Sequence, residues 1–484
     1  MKTFYWFDFE TTGTNPAMDW PAQFAGIRTD SNLNEIGEPL NIFCQLPADR
    51  LPHPEALMIT GLDPCEVNKK GLIEPEFIKK IHLELIQSGT CAAGYNSIRF
   101  DDEVIRYSLY RNFYDPYARE WKNGNSRWDL IDLVRLTAAL RPEGINWPIR
   151  DDGHISFKLE ELTQANGLDH DHAHDALSDV RATIALAKLI KKRQPKVYDY
   201  VFNNRNKHKV KSLLDTFKKE PVVHISGMFG ADRGCLAVVM PLSMHPINSN
   251  GVIVFDLSVN PEPLLSLSVE AIQQRLFTPT SKLAESVTRI PLKVVHINKC
   301  PVIAPLKVLR EEDCERLMLD LTVCDKHRQL LLQQPNLSEK IQQVFSAPQE
   351  SATDDPDLML YSGGFFSAID RERMKQVIST PPDQLSKAGG VFTDKRLDKM
   401  LFRYRARHYP EHLNAEESEI WRAHCIKQMT RPEQCHFGFR LFMAELNQAK
   451  QKIATQDQQQ LLNSIETYAS DLASSQGVDL TDFQ

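Results

Sequence analysis

Two acidic residues stand one residue apart near the start of the chain, directly after an apolar run. The run Phe4-Tyr5-Trp6-Phe7 predicts a buried strand, and Asp8 and Glu10 follow it. Because side chains alternate faces along a strand, both carboxylates point the same way. Neighbouring carboxylates on a core strand repel each other and lose hydration, which a divalent cation with oxygen ligands relieves. The pattern predicts an Mg²⁺ or Mn²⁺ site, with a solvated strand end as the alternative.

Later segments supply more residues of the same chemistry. A predicted strand near 90–95 runs into a helix that carries Asp101, and Asp179 opens a helix that ends near Lys192. Asp102 and Asp175 stand beside these positions, and we interpret both as residues outside the metal site. Asp175 precedes an apolar helix, which is the position of a helix cap.

Three histidines alternate in the stretch before that last helix, at His170, His172 and His174. Alternate residues of an extended stretch share a face, so a zinc site is a competing interpretation. A fourth ligand is not obvious and no cysteine is near, and we therefore expect His170 and His172 to be solvated. His174 is the candidate general base, since an unperturbed imidazole with a pKa near ~6.5 is largely neutral at working pH.

The order Asp-x-Glu, then Asp, then His-x-x-x-x-Asp resembles the DEDDh 3′→5′ exonuclease superfamily. The surrounding sequence is similar to the bacterial exonuclease I family over nearly the whole chain, most specifically in the first 300 residues. The family pattern of an Asp directly after a Phe selects Asp101 over Asp102. The phrases that carry the similarity are Arg127-Trp128-Asp129-Leu130, Leu140-Arg141-Pro142-Glu143-Gly144-Ile145-Asn146-Trp147-Pro148, Arg205-Asn206-Lys207-His208-Lys209 and His296-Ile297-Asn298-Lys299-Cys300-Pro301.

The resemblance implies an α/β fold in three domains. We expect a ribonuclease H-like exonuclease domain with a mixed sheet at 1–192, an SH3-like β domain at 195–348 and a helical C-terminal domain at 352–474. Apolar and polar patterning predicts strands near 3–9, 22–29, 40–46 and 90–95, the early ones as antiparallel hairpins. It predicts helices near 101–112, 129–140, 158–167 and 176–192. Between 195 and 348 it predicts mostly strands, with helical interludes at 198–218 and 268–277, and it predicts helices throughout 358–472.

The resemblance also implies a reaction. Asp8, Glu10, Asp101 and Asp179 would hold two Mg²⁺ ions, for which Mn²⁺ substitutes, and His174 would act as the base. The expected activity is removal of nucleoside 5′-monophosphates from the 3′ end of single-stranded DNA, in DNA repair and recombination. The alternatives are a 3′→5′ exoribonuclease or oligonucleotide nuclease on the same scaffold, and a non-catalytic single-strand binding module.

Some substrate contacts are predicted from the place and chemistry of the residue. The others are predicted by matching positions that bind DNA in the family, namely Arg135, Arg141, Lys207, Asn250, Lys293 and Asn298. Lys158 stands at a helix start where the family often has Arg, so it keeps the charge without the bidentate fork. Tyr117 and Trp121 are candidates for base stacking, with surface packing as the alternative. The full set of expected contacts is Glu10, Thr11, Lys158, Arg106, Tyr117, Trp121, Arg135, Arg141, Lys207, Asn250, Lys293 and Asn298.

Charge is distributed unevenly along a chain whose net charge is −7. Between Lys188 and Lys219 there are eleven Lys or Arg and two acidic residues, whereas from Glu411 onward there are eleven acidic residues and six Lys or Arg. Phosphate attraction acts locally, so the basic region can bind a nucleic acid despite the net charge. We expect it to help close a basic passage around the strand, which would favour processivity and exclude duplex.

Partners and location follow from composition and resemblance. The 484 residues include nine scattered cysteines without a C-x-x-C pair, and no apolar run reaches the length of a membrane span. We therefore expect a cytoplasmic protein with no membrane partner, and a monomer. The resemblance adds a contact with the C-terminal tail of single-stranded DNA-binding protein.

Overall fold

The computed structural model describes residues 2–170, 175–284, 287–346, 353–388, 390, 392–430 and 437–483. The chain divides into two compact units. The first consists of Met1–Arg127, His170–Arg181 and Ser351–Gln484, and the second of Trp128–Asp169 and Ala182–Glu350. The predicted boundaries of three sequence domains stay a prediction.

The first 193 residues build a mixed α/β layer, as predicted. The sheet has the strand order β3-β2-β1-β4-β5, in which β1 pairs antiparallel with β2 and parallel with β4. The elements are, in chain order, β1 (Thr3–Thr11), β2 (Pro21–Thr29), β3 (Leu40–Phe43), α1 (Pro54–Thr60), α2 (Pro64–Lys70), α3 (Glu74–Leu85), β4 (Thr90–Gly94), α4 (Asp101–Arg111), β5 (Ser126–Asp129), α5 (Ile131–Leu140), α6 (Leu159–Ala165) and α7 (Ala176–Arg193). The predicted strands and helices of this region are confirmed; α1 to α3 and β5 were not predicted.

Strand β1 lies in the middle of this sheet, and its side chains Tyr5, Phe7 and Phe9 pack in one core cluster. The ring centroid of Phe24 lies 6.2 Å from that of Phe7 and 4.9 Å from that of Phe9. Alternation then places Asp8 and Glu10 together on the other face of the strand. The pairing of β1 with β2 shifts register between Glu10 and Thr11, so the regular ladder is interrupted directly after the second carboxylate.

Residues 195–346 contain a second sheet, with the order β10-β6-β7-β8-β9 and antiparallel neighbours throughout. This is the predicted SH3-like β domain. Its elements are α8 (Pro195–Asn204), α9 (Lys207–Leu213), β6 (Val222–Ile225), β7 (Leu236–Met244), β8 (Gly251–Asp256), α10 (Glu262–Ser266), α11 (Val269–Phe277), β9 (Leu292–His296), β10 (Val302–Pro305), α12 (Glu311–Arg316), α13 (Leu321–Leu332) and α14 (Leu337–Val344). The expectation of mostly strands was wrong for 311–344, where Leu337, Ile341 and Val344 follow a helical period and are buried.

The C-terminal part is helical, as predicted. Its helices are α15 (Ala368–Ser379), α16 (Lys395–His408), α17 (Ala415–Thr430), α18 (Phe439–Gln451) and α19 (Gln456–Gln476). Among all the helices that the structure describes, none combines the length and the apolar character needed to cross a membrane.

Candidate active site

Three carboxylates from two separate elements meet at the end of β1. Single carboxylate oxygens of Asp8, Glu10 and Asp179 all lie within 4.8 Å of one another. Asp8 and Glu10 share a face of β1, and Asp179 comes from the first turn of α7. The structure therefore brings together residues that the sequence separates by about 170 positions, at a spacing that fits oxygen ligands around a divalent cation.

Helix α7 is fixed at this position by Asp175. One oxygen, Oδ2, accepts a hydrogen bond from the Ser178 amide at 3.1 Å, so Asp175 caps the helix as predicted. The other, Oδ1, accepts from Nε2 of Gln23 at 3.0 Å. Gln23 lies on β2 opposite Glu10. Asp175 therefore caps α7 and also joins it by a hydrogen bond to β2, the strand that pairs with β1 and its two carboxylates.

Asp101 reaches the site from a tight turn between β4 and α4. Asn96 adopts a left-handed conformation with φ of 58°, which asparagine tolerates better than most residues. The turn leads to Asp101 as the first residue of α4, where its Oδ1 accepts a hydrogen bond from the backbone amide of Phe9 at 3.1 Å. Because Phe9 separates Asp8 from Glu10, Asp101 is held beside those two residues, although it lies outside the mutually close set of three.

Asp102, the residue after Asp101, forms ion pairs with two arginines. Its Oδ1 lies 2.5 Å from Nη2 of Arg119 and its Oδ2 lies 2.9 Å from Nη1 of Arg127. Burial acts to raise the pKa of Asp102, but the charges of Arg127 and Arg119 lower it to about 2. Both carboxylate oxygens of Asp102 therefore contact arginines, which agrees with the interpretation of Asp102 as a residue outside the metal site.

The electrostatics of the cluster favour the binding of a cation. Burial raises the pKa of Glu10 to about 9, with further increases from the charges of Asp179, Asp101 and Asp175. Burial is also the largest cause of the strongly raised pKa of Asp8, followed by the charge of Asp101. A cluster of buried carboxylates with raised pKa values is stabilised by a positive charge placed between them.

His170 is the functional-site neighbour that the sequence analysis missed. We expected a solvated side chain, which is wrong. The side chain is 6% exposed and its Nε2 lies 2.5 Å from Oδ1 of Asp179. Only the alternation of histidines pointed to this stretch, and that pattern suggested a shared zinc ligand instead. His172 and His174 lie outside the described residues, so the assignment of His174 as the base stays a prediction.

Arg106, which was expected to follow the DNA backbone, is buried among carboxylates in this structure, and its contact with DNA stays a prediction. Arg106 is 4% exposed, and its guanidinium donates to Glu120 at 2.8 and 2.9 Å and to Glu103 at 2.8 Å. The hydroxyl of Tyr361 accepts a further hydrogen bond from it at 3.0 Å and donates to Glu103. The side chain that was expected to meet phosphate is satisfied by carboxylates within its own unit.

The other predicted substrate contacts of the first unit differ in exposure. Thr11 is buried and donates from Oγ1 to the carbonyl of Gly13 at 2.7 Å. Tyr117 is partly buried and the guanidinium of Arg106 lies 5.3 Å from its ring centroid. Trp121 is 63% exposed. Base stacking by Trp121 and Tyr117 stays a prediction, and Trp121 presents the larger free surface.

In the second unit, two predicted phosphate contacts are exposed lysines. Lys158 directly precedes α6, with Nζ 3.3 Å from a carboxylate oxygen of Glu161 and a side chain that is 66% exposed. Lys207 begins α9 and is exposed, as are Lys209 and Lys211 on the same short helix. These positions leave the ammonium groups accessible to solvent and to phosphates.

The remaining predicted contacts are more enclosed. Arg135 donates to Asp132 at 2.8 Å, and Arg141 donates to Asp313 at 3.1 Å and to the carbonyl of Val308 at 3.0 Å. The others lie on or near strands of the second sheet, and their contacts with DNA stay predictions. Asn250 directly precedes β8, and Asn298 is the second residue after β9. Lys293 lies on β9, with its ammonium 4.3 Å from the Phe229 ring centroid.

Family models match three consecutive parts of the chain. A model described as "Exonuclease" matches residues 5–187, the "Exonuclease I SH3-like domain" matches 205–347, and the "Exonuclease I C-terminal domain" matches 354–472.

Individual relatives are similar over nearly their whole length. Exodeoxyribonuclease I of Escherichia coli K12 is 48% identical over 433 residues, which cover 89% of this chain and 90% of that protein. Exodeoxyribonuclease I of Haemophilus influenzae is 49% identical over 422 residues, with 87% and 89% covered.

Solved structures of exonuclease I superpose on this chain. E. coli exonuclease I in complex with a dA16 oligonucleotide has a TM-score of 0.93 and 46% identity, and it covers 98% of this chain and 100% of that one. A zinc-bound complex of the E. coli enzyme with single-stranded DNA has a TM-score of 0.92 and 45% identity, with the same coverage. An SSB/exonuclease I structure in complex with the inhibitor CFAM has a TM-score of 0.90 and 45% identity, again with that coverage.

Proposed function

This chain belongs to the bacterial exonuclease I family, and we propose that it removes nucleoside 5′-monophosphates successively from the 3′ end of single-stranded DNA. That it is an exodeoxyribonuclease follows from the membership. The direction of digestion, the product and the roles of individual residues are the proposal. The observation that carries it is the meeting of Asp8, Glu10 and Asp179 oxygens within 4.8 Å, with Asp101 tied to the same strand.

The donor set fits two divalent cations with a preference for oxygen, Mg²⁺ first and Mn²⁺ as a substitute. We assign Asp8, Glu10, Asp101 and Asp179 as the ligands, because all are carboxylates and their proximity is unfavourable without added positive charge. When bound, two such ions supply charge neutralisation at phosphorus and lower the pKa of the attacking water.

The protein contributes the geometry and the proton acceptor. The Asp175 cap and the Phe9–Asp101 hydrogen bond hold the four carboxylates in place before substrate arrives. His174 stands five residues before Asp179 in the sequence, and we propose that it accepts the proton of the attacking water. Preorganised ligands of this kind spare the enzyme a rearrangement during the reaction.

DNA binding in this proposal uses exposed cations and one exposed aromatic ring. Lys207, Lys209 and Lys211 on α9 carry positive charge into solvent, as phosphate binding requires. Trp121 offers a ring face for sequence-independent stacking, which contributes on the order of 1–3 kcal/mol per base.

The test is digestion of end-labelled single-stranded DNA, RNA, 3′-tailed duplex and 5′-tailed duplex, with and without Mg²⁺. We expect Mg²⁺-dependent release of mononucleotides from single-stranded DNA and from the 3′ tail, with a stall near the junction. Equal digestion of both tailed duplexes would contradict the direction proposed here. Faster digestion of RNA than of DNA would favour an exoribonuclease, and binding without cleavage would favour a non-catalytic module.

We further propose a monomer that acts in cytoplasmic DNA repair and recombination and binds the C-terminal tail of single-stranded DNA-binding protein. All four proposed metal ligands belong to one chain, so the site needs no second copy. The SSB/exonuclease I structure supports the partner. Light scattering of the purified protein would test the monomer, and titration with a peptide of the tail would test the partner.

A further inference from the structure

A histidine outside the proposed ligand set contacts one of the ligands. His170 precedes Asp179 by nine residues and lies between α6 and α7. Its Nε2 lies 2.5 Å from Oδ1 of Asp179, and its side chain is only 6% exposed, against 18% for the side chain of Asp179. The contact is therefore built into the protein, and it involves the more enclosed of the two side chains.

A contact at one oxygen of Asp179 is compatible with a cation at the other. A carboxylate has two oxygens, the hydrogen bond to His170 engages Oδ1, and we assign Oδ2 to the cation. An aspartate side chain in the first turn of a helix can rotate between staggered conformations. A hydrogen bond to one oxygen stabilises one of these conformations, and it thereby fixes the position of the other oxygen. Partners of this type are a general feature of metal sites, where their loss typically weakens metal affinity or activity by about 10–100-fold.

We propose that His170 is a positioning residue that holds Asp179 in its metal-binding orientation. This inference rests on the proposed metal site and adds a residue to its support. The opposite possibility is that His170 competes with the cation for Asp179, in which case its removal would strengthen metal binding. The two possibilities predict changes of opposite sign in the same measurement.

The experiment compares two amide substitutions in the full-length protein without DNA. The glutamine of His170→Gln places an amide N–H near the position of the imidazole Nε2, whereas the asparagine of His170→Asn is too short to reach Asp179. Binding of Mn²⁺ alone is followed by the electron paramagnetic resonance signal of the free ion. We expect His170→Asn to bind Mn²⁺ about 10–100-fold more weakly than the unsubstituted protein, and His170→Gln to recover most of that loss.

Controls separate this inference from the site on which it rests. Asp179→Asn should lose Mn²⁺ binding, and His412→Ala, at an exposed histidine, should leave it unchanged. Thermal melting checks that each variant is folded, and the pair of amides distinguishes the hydrogen bond from loss of the ring. Unchanged or tighter Mn²⁺ binding by His170→Asn, with binding lost in Asp179→Asn, would overturn the role of His170 alone. Full Mn²⁺ binding by Asp179→Asn would overturn the proposed metal site.

Discussion

The backbone amide of Phe9 donates a hydrogen bond to Oδ1 of Asp101 at 3.1 Å. Phe9 is the residue between Asp8 and Glu10, so the strand that carries two carboxylates also orients the third. Its ring meanwhile packs against Phe24 in the core. Any displacement of the strand would therefore move three of the four proposed ligands together, which favours a site that stays assembled as a unit.

Asp179→Asn should abolish cleavage and leave single-strand binding nearly intact. The substitution removes a proposed metal ligand and no phosphate contact, and it keeps the size of the side chain. Because Asp179 raises the pKa of both Asp8 and Glu10, loss of its charge should not lower the melting temperature of the metal-free protein. Digestion kinetics and a filter-binding assay measure the two properties. Turnover within about tenfold of the unsubstituted enzyme, or ~1.4 kcal/mol in barrier, would remove Asp179 from the site.

Stability without metal should fall as pH rises. Burial and neighbouring charges raise the pKa of Glu10 from 4.5 to about 9, so the folded state binds more protons than the unfolded state between these values. Stability is then greatest below about pH 4.5 for this group and is lost as pH approaches 9. Melting temperatures in EDTA across this range should show the decline. Mg²⁺ should flatten it, because the ions stabilise the deprotonated form. Glu10→Gln should reduce it without metal, with the part due to Asp8 remaining.

From the sequence, the proximity of the carboxylates could be predicted better than the surroundings of the basic side chains. Asp8 and Glu10 follow from strand alternation, and the Asp175 cap from its place before an apolar helix. Arg106 could not be judged in the same way, because the carboxylate that pairs with it bidentately, Glu120, is 14 positions away in the sequence. Whether a cation is free for phosphate depends on such long-range neighbours. His170 was missed for the same reason, since nothing local indicates that a loop histidine is enclosed.

His174→Ala should lower the turnover number by a factor of about 10²–10⁴, the usual contribution of a general base. Mn²⁺ binding should persist, because His174 is not among the proposed ligands. Single-turnover digestion together with the metal titration separates the two effects. Stoichiometric zinc in the purified protein that is lost on this substitution would instead support the zinc site considered from the sequence.

Asp102→Asn should destabilise the protein strongly although Asp102 binds no metal in this proposal. The side chain is 2% exposed and separates two buried guanidinium groups, Arg119 and Arg127. Loss of its charge leaves Glu120 as the counter-ion that both arginines still contact, and breaking a buried ion pair costs about 3–5 kcal/mol. Urea denaturation measures the loss in the free energy of unfolding. Asp151→Asn, at an exposed acid, is the control, and equal stability of the two variants would show that the cluster contributes little.

The double variant Lys207→Gln/Lys209→Gln should reduce the salt dependence of DNA binding while leaving the chemistry of a single cut unchanged. Both ammonium groups are exposed on α9, and each phosphate neutralised on a single strand adds about 0.7 to the slope of log K against log salt. If each lysine contacts one phosphate, the slope falls by about 1.4 and runs of digestion become shorter. Fluorescence anisotropy at several salt concentrations measures the slope, and a quenched single-turnover assay measures the cut.

The matched control is Lys375→Gln/Lys395→Gln, which removes two exposed lysines that pair with nearby acids on their own helices. An unchanged slope in the first variant would mean that α9 does not follow the DNA backbone. An equal fall in the control would mean that the net charge, and not the position of these lysines, sets the salt effect.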